Sequence, residues 1–295
     1  MSDDRYQKIA VACSNELVEI ISNYFIEHNT GGVVAQDDKT TSRTILTAYI
    51  DPAKSKPISR EEIEQYIDSI KGNFADSTYE IVALDFIEAE DWLAEWKKSF
   101  VPLHVTNKIV IRPTWEIYEL QPGEIEIIID PKMAFGTGHH ETTAQCLRGL
   151  EMLNVMGKRV LDYGCGSGIL AIAAYKLGAS EVIGCDNDPE AIECAIENVR
   201  LNKAKIELVE SANYIASPPC DIIAANLTID QIITSFNELD NSLKENGRII
   251  FSGILMSDKE RLLDFLFDKP YVINDELAGE EWISYLATKE SPDGD

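Results

Sequence analysis

Apolar residues in the second half of the chain fall into short unbroken runs that alternate with stripes at helical spacing. Residues 160–163 read as a buried strand and 169–177 as a helix, and 182–186 with 189–201 repeats the pair. A strand near 206–210, a strand over 221–226, a helix to about residue 244, a strand over 248–252 and a helix around 259–267 continue the series. That alternation predicts a doubly wound, largely parallel sheet. Two further strands, near 271–277 and 282–288, follow without a helix between them and predict an antiparallel hairpin at one sheet edge.

The first half has another rhythm. A strand over 6–12 is followed by Leu17, Ile20, Ile21, Tyr24 and Phe25 at helical spacing, with Gly31-Gly32 expected to stop that helix. Strands over 33–36 and 44–50, a helix faced by Ile63, Tyr66, Ile67 and Ile70, and a strand over 79–87 complete the order βαββαβ, that of a ferredoxin-like domain. Residues 88–98 are charged but carry Trp92 and Trp96 on one helical face, and read either as a linker helix or as the first helix of the second domain. Short β-structure with turns at Arg112-Pro113 and Gln121-Pro122-Gly123 spans 101–129. The expected organisation is a small α+β ferredoxin-like domain over 1–88, a linker helix over 89–100 and a Rossmann-like α/β domain over 101–295.

The chemistry concentrates where the first strand of the α/β domain meets its helix, at Asp162-Tyr163-Gly164-Cys165-Gly166-Ser167-Gly168. Glycines at alternate positions allow a sharp turn and leave no Cβ where a ligand must lie against the backbone. Asp186, at the tip of the next strand, is placed to accept hydrogen bonds from both hydroxyls of a ribose, and Asp188 and Pro189 read as the N-cap and first residue of the helix beyond. Dinucleotide sites favour G-x-G-x-x-G, which brings a pyrophosphate to a helix N-terminus. Here the spacing is G-x-G-x-G, and Asp162 beside it would repel a pyrophosphate but attract an ammonium group. S-adenosylmethionine has an ammonium, a ribose and no phosphate, so the pattern favours it over NAD. A glycine turn that binds nothing is the bland alternative.

Two further segments bear on function. Residues 130–143 place Phe135, Gly136, Thr137 and Gly138 just before a helix whose apolar face is Cys146, Leu147 and Leu150, the composition of a loop closing over a ligand or of a structured turn with Thr143 in the first turn of the helix. Asn226 ends the strand expected beside the glycine turn. Its side-chain oxygen can hold an N–H of an attacking amine, so that positioning supplies the main catalytic term. The alternative is that Asn226 caps the helix beginning near Thr228.

Composition narrows the partners. The 295 residues carry a formal net charge of −25, which opposes nucleic-acid phosphates and suits a basic partner or plain solubility. Apolar runs fall short of a bilayer span and the first residues lack a signal-peptide pattern, so a cytoplasmic protein, as a monomer, is expected. The six cysteines form no C-x-x-C pair and read as reduced core residues, while His139-His140-Glu141 lacks further ligands for a metal.

The chain resembles the PrmA family, which methylates the eleventh protein of the large ribosomal subunit. The resemblance rests on Glu90-Asp91-Trp92 with Trp96, Asp130-Pro131 leading into Ala134-Phe135-Gly136-Thr137-Gly138 and Thr142-Thr143, the glycine turn through Ile169-Leu170, Asn226-Leu227, Ser252-Gly253-Ile254-Leu255 and Glu281-Trp282. It covers about residues 88–288. It implies S-adenosylmethionine contacts at Thr143, Gly164, Asp186 and Asn226, an N-terminal ferredoxin-like domain that grips the substrate, and methylation of the substrate's α-amine and lysine side chains. With the residue reading it makes Asp162, Gly166, Phe135 and Thr137 further cofactor candidates and Asn226 the catalytic one. His139 and Glu141 depart from the Thr and Pro of the family pattern, and Thr228 stands where Leu is common. A methyltransferase for another protein or a small-molecule amine, and a non-catalytic holder of a ribosomal component, are the competing expectations.

Overall fold

The computed structural model describes residues 5–28, 30–38, 43–51, 55–71, 77–88, 101–129 and 140–291. The chain divides into two compact units, Met1–Phe100 and Val101–Asp295. The expected linker helix lies outside the described residues.

Unit 1 runs β1 (Arg5–Cys13), α1 (Asn15–Glu27), β2 (Thr30–Asp38), β3 (Arg43–Ile50), α2 (Arg60–Lys71) and β4 (Tyr79–Glu88). Its sheet has the order β2-β3-β1-β4 and every pairing is antiparallel. Alternate residues of β1 and β3, namely Ile9, Val11, Leu46, Ala48 and Ile50, bury against Leu17, Ile21 and Phe25 of α1 and Ile63 and Ile67 of α2. Gly31 and Gly32 do not stop α1, as the sequence suggested. That helix ends at Glu27, and the two glycines lie in β2, where the register slips between Thr30 and Val33. Residues without a Cβ accommodate such irregular pairing.

Unit 2 begins with β5 (Leu103–His104), β6 (Ile109–Arg112) and β7 (Ile125–Ile128), a three-stranded sheet. There follow α3 (Glu141–Met152), β8 (Arg159–Tyr163), α4 (Ile169–Lys176), β9 (Glu181–Asp186), α5 (Pro189–Leu201), β10 (Glu207–Glu210) and β11 (Cys220–Asn226). Then come α6 (Ile229–Thr234), α7 (Phe236–Ser242), β12 (Leu243–Leu255), α8 (Lys259–Leu266), β13 (Tyr271–Ala278) and β14 (Trp282–Lys289). The main sheet has the order β10-β9-β8-β11-β12-β14-β13. Pairings from β10 to β12 are parallel, and β14 and β13 close it as the expected antiparallel edge hairpin.

Successive residues of the central strands serve opposite cores. In β11, Ile222 and Ala224 pack with α3 and α4, whereas Ile223 and Ala225 pack with α6, α7 and α8. This two-sided burial is why the strands read as unbroken apolar runs. The helix expected to reach residue 244 is instead two helices broken at Ser235, and β12 starts at Leu243. Residues 244–247 bulge between the pairs Cys220–Leu243 and Ile222–Arg248, with Asn246 at φ 59°. Among the described residues no helix is long and apolar enough to cross a membrane.

Candidate functional site

The glycine turn leaves the C-terminal end of β8 and is bound to the end of β9. The amides of Gly164 and Cys165 both donate to Cys185 O, at 2.8 and 2.9 Å, and Gly168 N donates to Cys165 O at 2.7 Å. Gly166 N donates to Asp186 Oδ2 at 2.8 Å, and the other carboxylate oxygen of Asp186 accepts from Asp188 N at 3.1 Å. Four amides of the turn are thus spent inward, one of them fixing Asp186, rather than offered to a phosphate. Gly164 has φ +74°, and a Cβ there would meet Leu227 Cδ2 at 2.5 Å.

Strand alternation puts Asp162 on the face covered by α3 and α4, where it is 1% exposed. Its Oδ2 accepts from Ala171 N at 2.9 Å, capping the first turn of α4 with a carboxylate where a dinucleotide site would hold a phosphate. Its Oδ1 has no partner. Burial first, and then the charge of Asp186, raise its pKa to about 7. Thr143, equally buried in the first turn of α3, has an Oγ1 that also lacks a partner. Two acceptor-capable atoms without a donor are costly in an interior unless a donor arrives.

A cavity of about 720 Å³ opens beside the glycine turn and Asp186. One wall is Gly164, Gly166, Asp186–Asp188 and the α5 face bearing Glu190, Glu193 and Glu197; the other is His140, Thr142 and Trp282; Asn226–Thr228, Gln231 and Gly253 form the remainder. Among the described lining residues are five carboxylates and no Lys or Arg, so the cavity favours cations. Asn226 ends β11 between Ser252, its partner on β12, and the end of β8, where Ala225 pairs with Tyr163. It does not cap the next helix. Thr228 does so, accepting from Gln231 N while Gln231 Oε1 accepts from Thr228 N at 2.9 Å.

Of the residues expected from sequence, Gly164, Gly166, Asp186 and Asn226 meet on the cavity wall, whereas Thr143 and Asp162 are buried and off that wall. Phe135 and Thr137 lie outside the described residues. Asp188 is the N-cap of α5 with Pro189 following, as expected. His140 and Thr142 belong to the 130–143 segment expected to close over a ligand, though neither was singled out, and Gly253 and Trp282 were not expected in the site. The His140 ring stands edge-on to Trp282 at 5.1 Å and its Nδ1 lies 2.8 Å from Thr142 Oγ1; burial lowers its pKa and favours the neutral imidazole.

The model of the family described as ribosomal protein L11 methyltransferase (PrmA) matches residues 5–290. The chain belongs to the PrmA family. A PrmA relative from Caldanaerobacter subterraneus subsp. tengcongensis, named ribosomal protein L11 methyltransferase, is 37% identical, covering 97% of this chain and 99% of its own. One of the same name from Geobacillus kaustophilus is 34% identical over 97% of this chain and 99% of its own. The solved structure of a ribosomal protein L11 methylase from Lactobacillus delbrueckii subsp. bulgaricus superposes with a TM-score of 0.61 at 31% identity, covering 65% of this chain and all of that one. Glu141 has a structural use: its carboxylate accepts from Glu280 N at 2.9 Å and Glu281 N at 3.5 Å, tying α3 to the β13–β14 hairpin.

Proposed function

We propose that this chain is an S-adenosylmethionine-dependent N-methyltransferase acting on amino groups of ribosomal protein L11, its N-terminal α-amine and lysine side chains. The observation that carries the proposal is the inward-turned glycine turn beside two buried acceptors, Asp162 Oδ1 and Thr143 Oγ1, that lack donors. The Asp162 carboxylate calls for a donor, which an ammonium group supplies and a phosphate does not, while the Thr143 hydroxyl can bond to either. Asp186, already oriented by two backbone amides, retains lone pairs for ribose hydroxyls. The residues therefore fit S-adenosylmethionine, held by Thr143, Asp162, Gly164, Gly166, Asp186 and Asn226, with Phe135 and Thr137 as further cofactor-binding candidates.

When bound, this cofactor supplies a methyl group made electrophilic by its sulfonium. The residues of the chain have a positioning task. Asn226 accepts an N–H of the acceptor amine through its side-chain oxygen and so aims the lone pair. The amine must arrive neutral, and its proton passes to water rather than to a dedicated base. The cavity carboxylates draw in a basic acceptor, in keeping with the net charge of −25. The βαββαβ order and antiparallel β2-β3-β1-β4 sheet of unit 1 support reading residues 1–88 as a ferredoxin-like domain that holds the substrate, with 89–100 as linker. We assign the protein to the cytoplasm, where ribosomal proteins are made, as a monomer that does not bind nucleic acid directly.

Intact-mass analysis of L11 incubated with the protein and S-adenosylmethionine tests the reading. Increments of about 14 mass units, one CH₂ each, are expected. Unmodified L11 alongside measurable cofactor binding would transfer the activity to another protein or a small-molecule amine.

A further inference from the structure

The two walls of the cavity are held by separate means. The glycine-turn wall is fixed through Cys185 and Asp186 on β9. Behind the His140–Thr142–Trp282 wall lies a buried chain of polar side chains, none of which lines the cavity: Gln145 (3% exposed), Ser252 and Ser284 (both 0%). Gln145 Nε2 donates to Trp282 O at 3.0 Å, Ser284 Oγ donates to Gln145 Oε1 at 2.5 Å, and the Ser252 and Ser284 hydroxyls are 2.7 Å apart. Each hydroxyl has one proton. With that of Ser284 given to Gln145, the proton of Ser252 goes to Ser284, and the 3.3 Å approach of Ser252 to Thr142 O is its weaker alternative. The chain of donors runs Ser252 to Ser284 to Gln145 to Trp282, joining β12, β14 and α3.

The elements it joins are unequally secured. Helix α3 is fixed by Cys146, Leu147 and Leu150, all fully buried. The hairpin turn has no such core, and Glu280 and Glu281 are exposed. The ties from α3 to this turn come from one face of the helix, Glu141 to the amides of Glu280 and Glu281 and Gln145 to the carbonyl of Trp282. Residues four apart share a helix face. Gly279 lies directly on the Glu141 carboxylate, where a Cβ would not fit. Trp282 is therefore held from two sides, by α3 and by its pairing with Leu255 on β12, where Met256 N also donates to Glu281 O at 2.9 Å, and loss of the Gln145 tie leaves it held chiefly from β12.

We propose that Gln145, with Ser284 and Ser252 behind it, is a positioning residue that holds Trp282 and so sets the acceptor side of the cavity. The proposal rests on the methyltransferase reading for the identity of the acceptor, but the hold on Trp282 does not. Hydrogen exchange tests the hold without any substrate: Gln145→Leu should speed exchange of the Gly279 amide, which donates to the same Trp282 carbonyl at 2.9 Å, about tenfold or more. Unchanged exchange overturns the hold.

Kinetics test the consequence. For Gln145→Leu, the KM for L11 should rise about fivefold to tenfold, while the dissociation constant for S-adenosylmethionine by calorimetry stays within about twofold. A cofactor loss as large as the acceptor loss, or an unchanged KM with raised exchange, overturns the acceptor-side role. Gln145→Glu gives a signature that simple destabilisation does not. A carboxyl buried there against the Trp282 carbonyl stays protonated to unusually high pH, and only that form donates as the amide does. Its activity relative to the unaltered protein should recover as pH falls, and a pH-independent ratio counts against the role. If the unaltered protein transfers no methyl group to any amine, the functional reading fails and takes the acceptor-side role with it, whereas the exchange result stands by itself.

Discussion

At the scale of single residues, Asp162 couples the site to pH. Burial, with Asp186 adding to it, places its pKa near 7, so the folded protein without cofactor binds a proton there that the unfolded chain has released. Its contribution to stability is thus present at low pH and is lost as pH rises from the ordinary carboxylate value through about 7. An ammonium partner needs the ionised form. Cofactor affinity should therefore rise about tenfold between roughly pH 6 and pH 8, following the ionised fraction. Asp162→Asn should flatten that dependence, weaken binding and stabilise the cofactor-free protein above pH 7. Calorimetry and thermal melts check the two signs, and an affinity that falls with pH would exclude the pairing. Asp186→Ala should weaken cofactor binding about tenfold or more, since hydrogen bonds to a charged group contribute about 1.5–3 kcal/mol. These residues were legible in the sequence because a glycine turn and a strand-end carboxylate are local signals. Trp282 was not legible as a site residue, because it meets the α3 wall only where Gln145 binds the start of β14, 137 residues further on.

At the scale of elements, strand alternation and helix caps were legible, as Asp188 and Pro189 at the start of α5 illustrate. What the sequence hid were irregularities whose cause is tertiary: the break at Ser235, the bulge over 244–247 and the slip at Gly31-Gly32. Another such feature bears on catalysis. Gly253 has φ +79°, and the space its Cβ would need is taken by the backbone of Leu227, next to Asn226. Gly253→Ala should cost about 1–3 kcal/mol through backbone strain and displacement. Because the segment displaced carries Asn226, turnover should fall further than the loss of folded protein explains. Urea unfolding together with turnover per folded molecule checks this, and a fall in both by equal amounts would confine Gly253 to a structural role.

At the scale of the whole molecule, each unit buries its own hydrophobic clusters, one within residues 9–81 and the others within residues 105–287. Division of labour follows from the proposed function. A protein lacking residues 1–100 should bind S-adenosylmethionine within about twofold of the full chain yet lose most of its kcat/KM on L11, since remote contacts no longer hold the substrate. Methylation of L11 at an undiminished rate would remove substrate recognition from unit 1.

The cysteines give this separation an experimental handle. None of the six is in a disulfide and all are buried, and burial pushes Cys13 and Cys220 up to about 11 and Cys146 and Cys185 up to about 12. A thiol-alkylating reagent at neutral pH needs exposed thiolate, so it marks a cysteine only while the structure around it is open. Cys13 samples the opening of unit 1, and Cys146, Cys165, Cys185 and Cys220 sample unit 2, whereas Cys194 lines the cavity and reports access to it. Added S-adenosylmethionine should slow labelling of those four and leave the rate at Cys13 unchanged, by the mass-action stabilisation of whichever unit binds it. Peptide-resolved labelling would then locate a ligand's grip without any enzymatic assay, and the protein's own chemistry would supply a separate clock for each of its two halves.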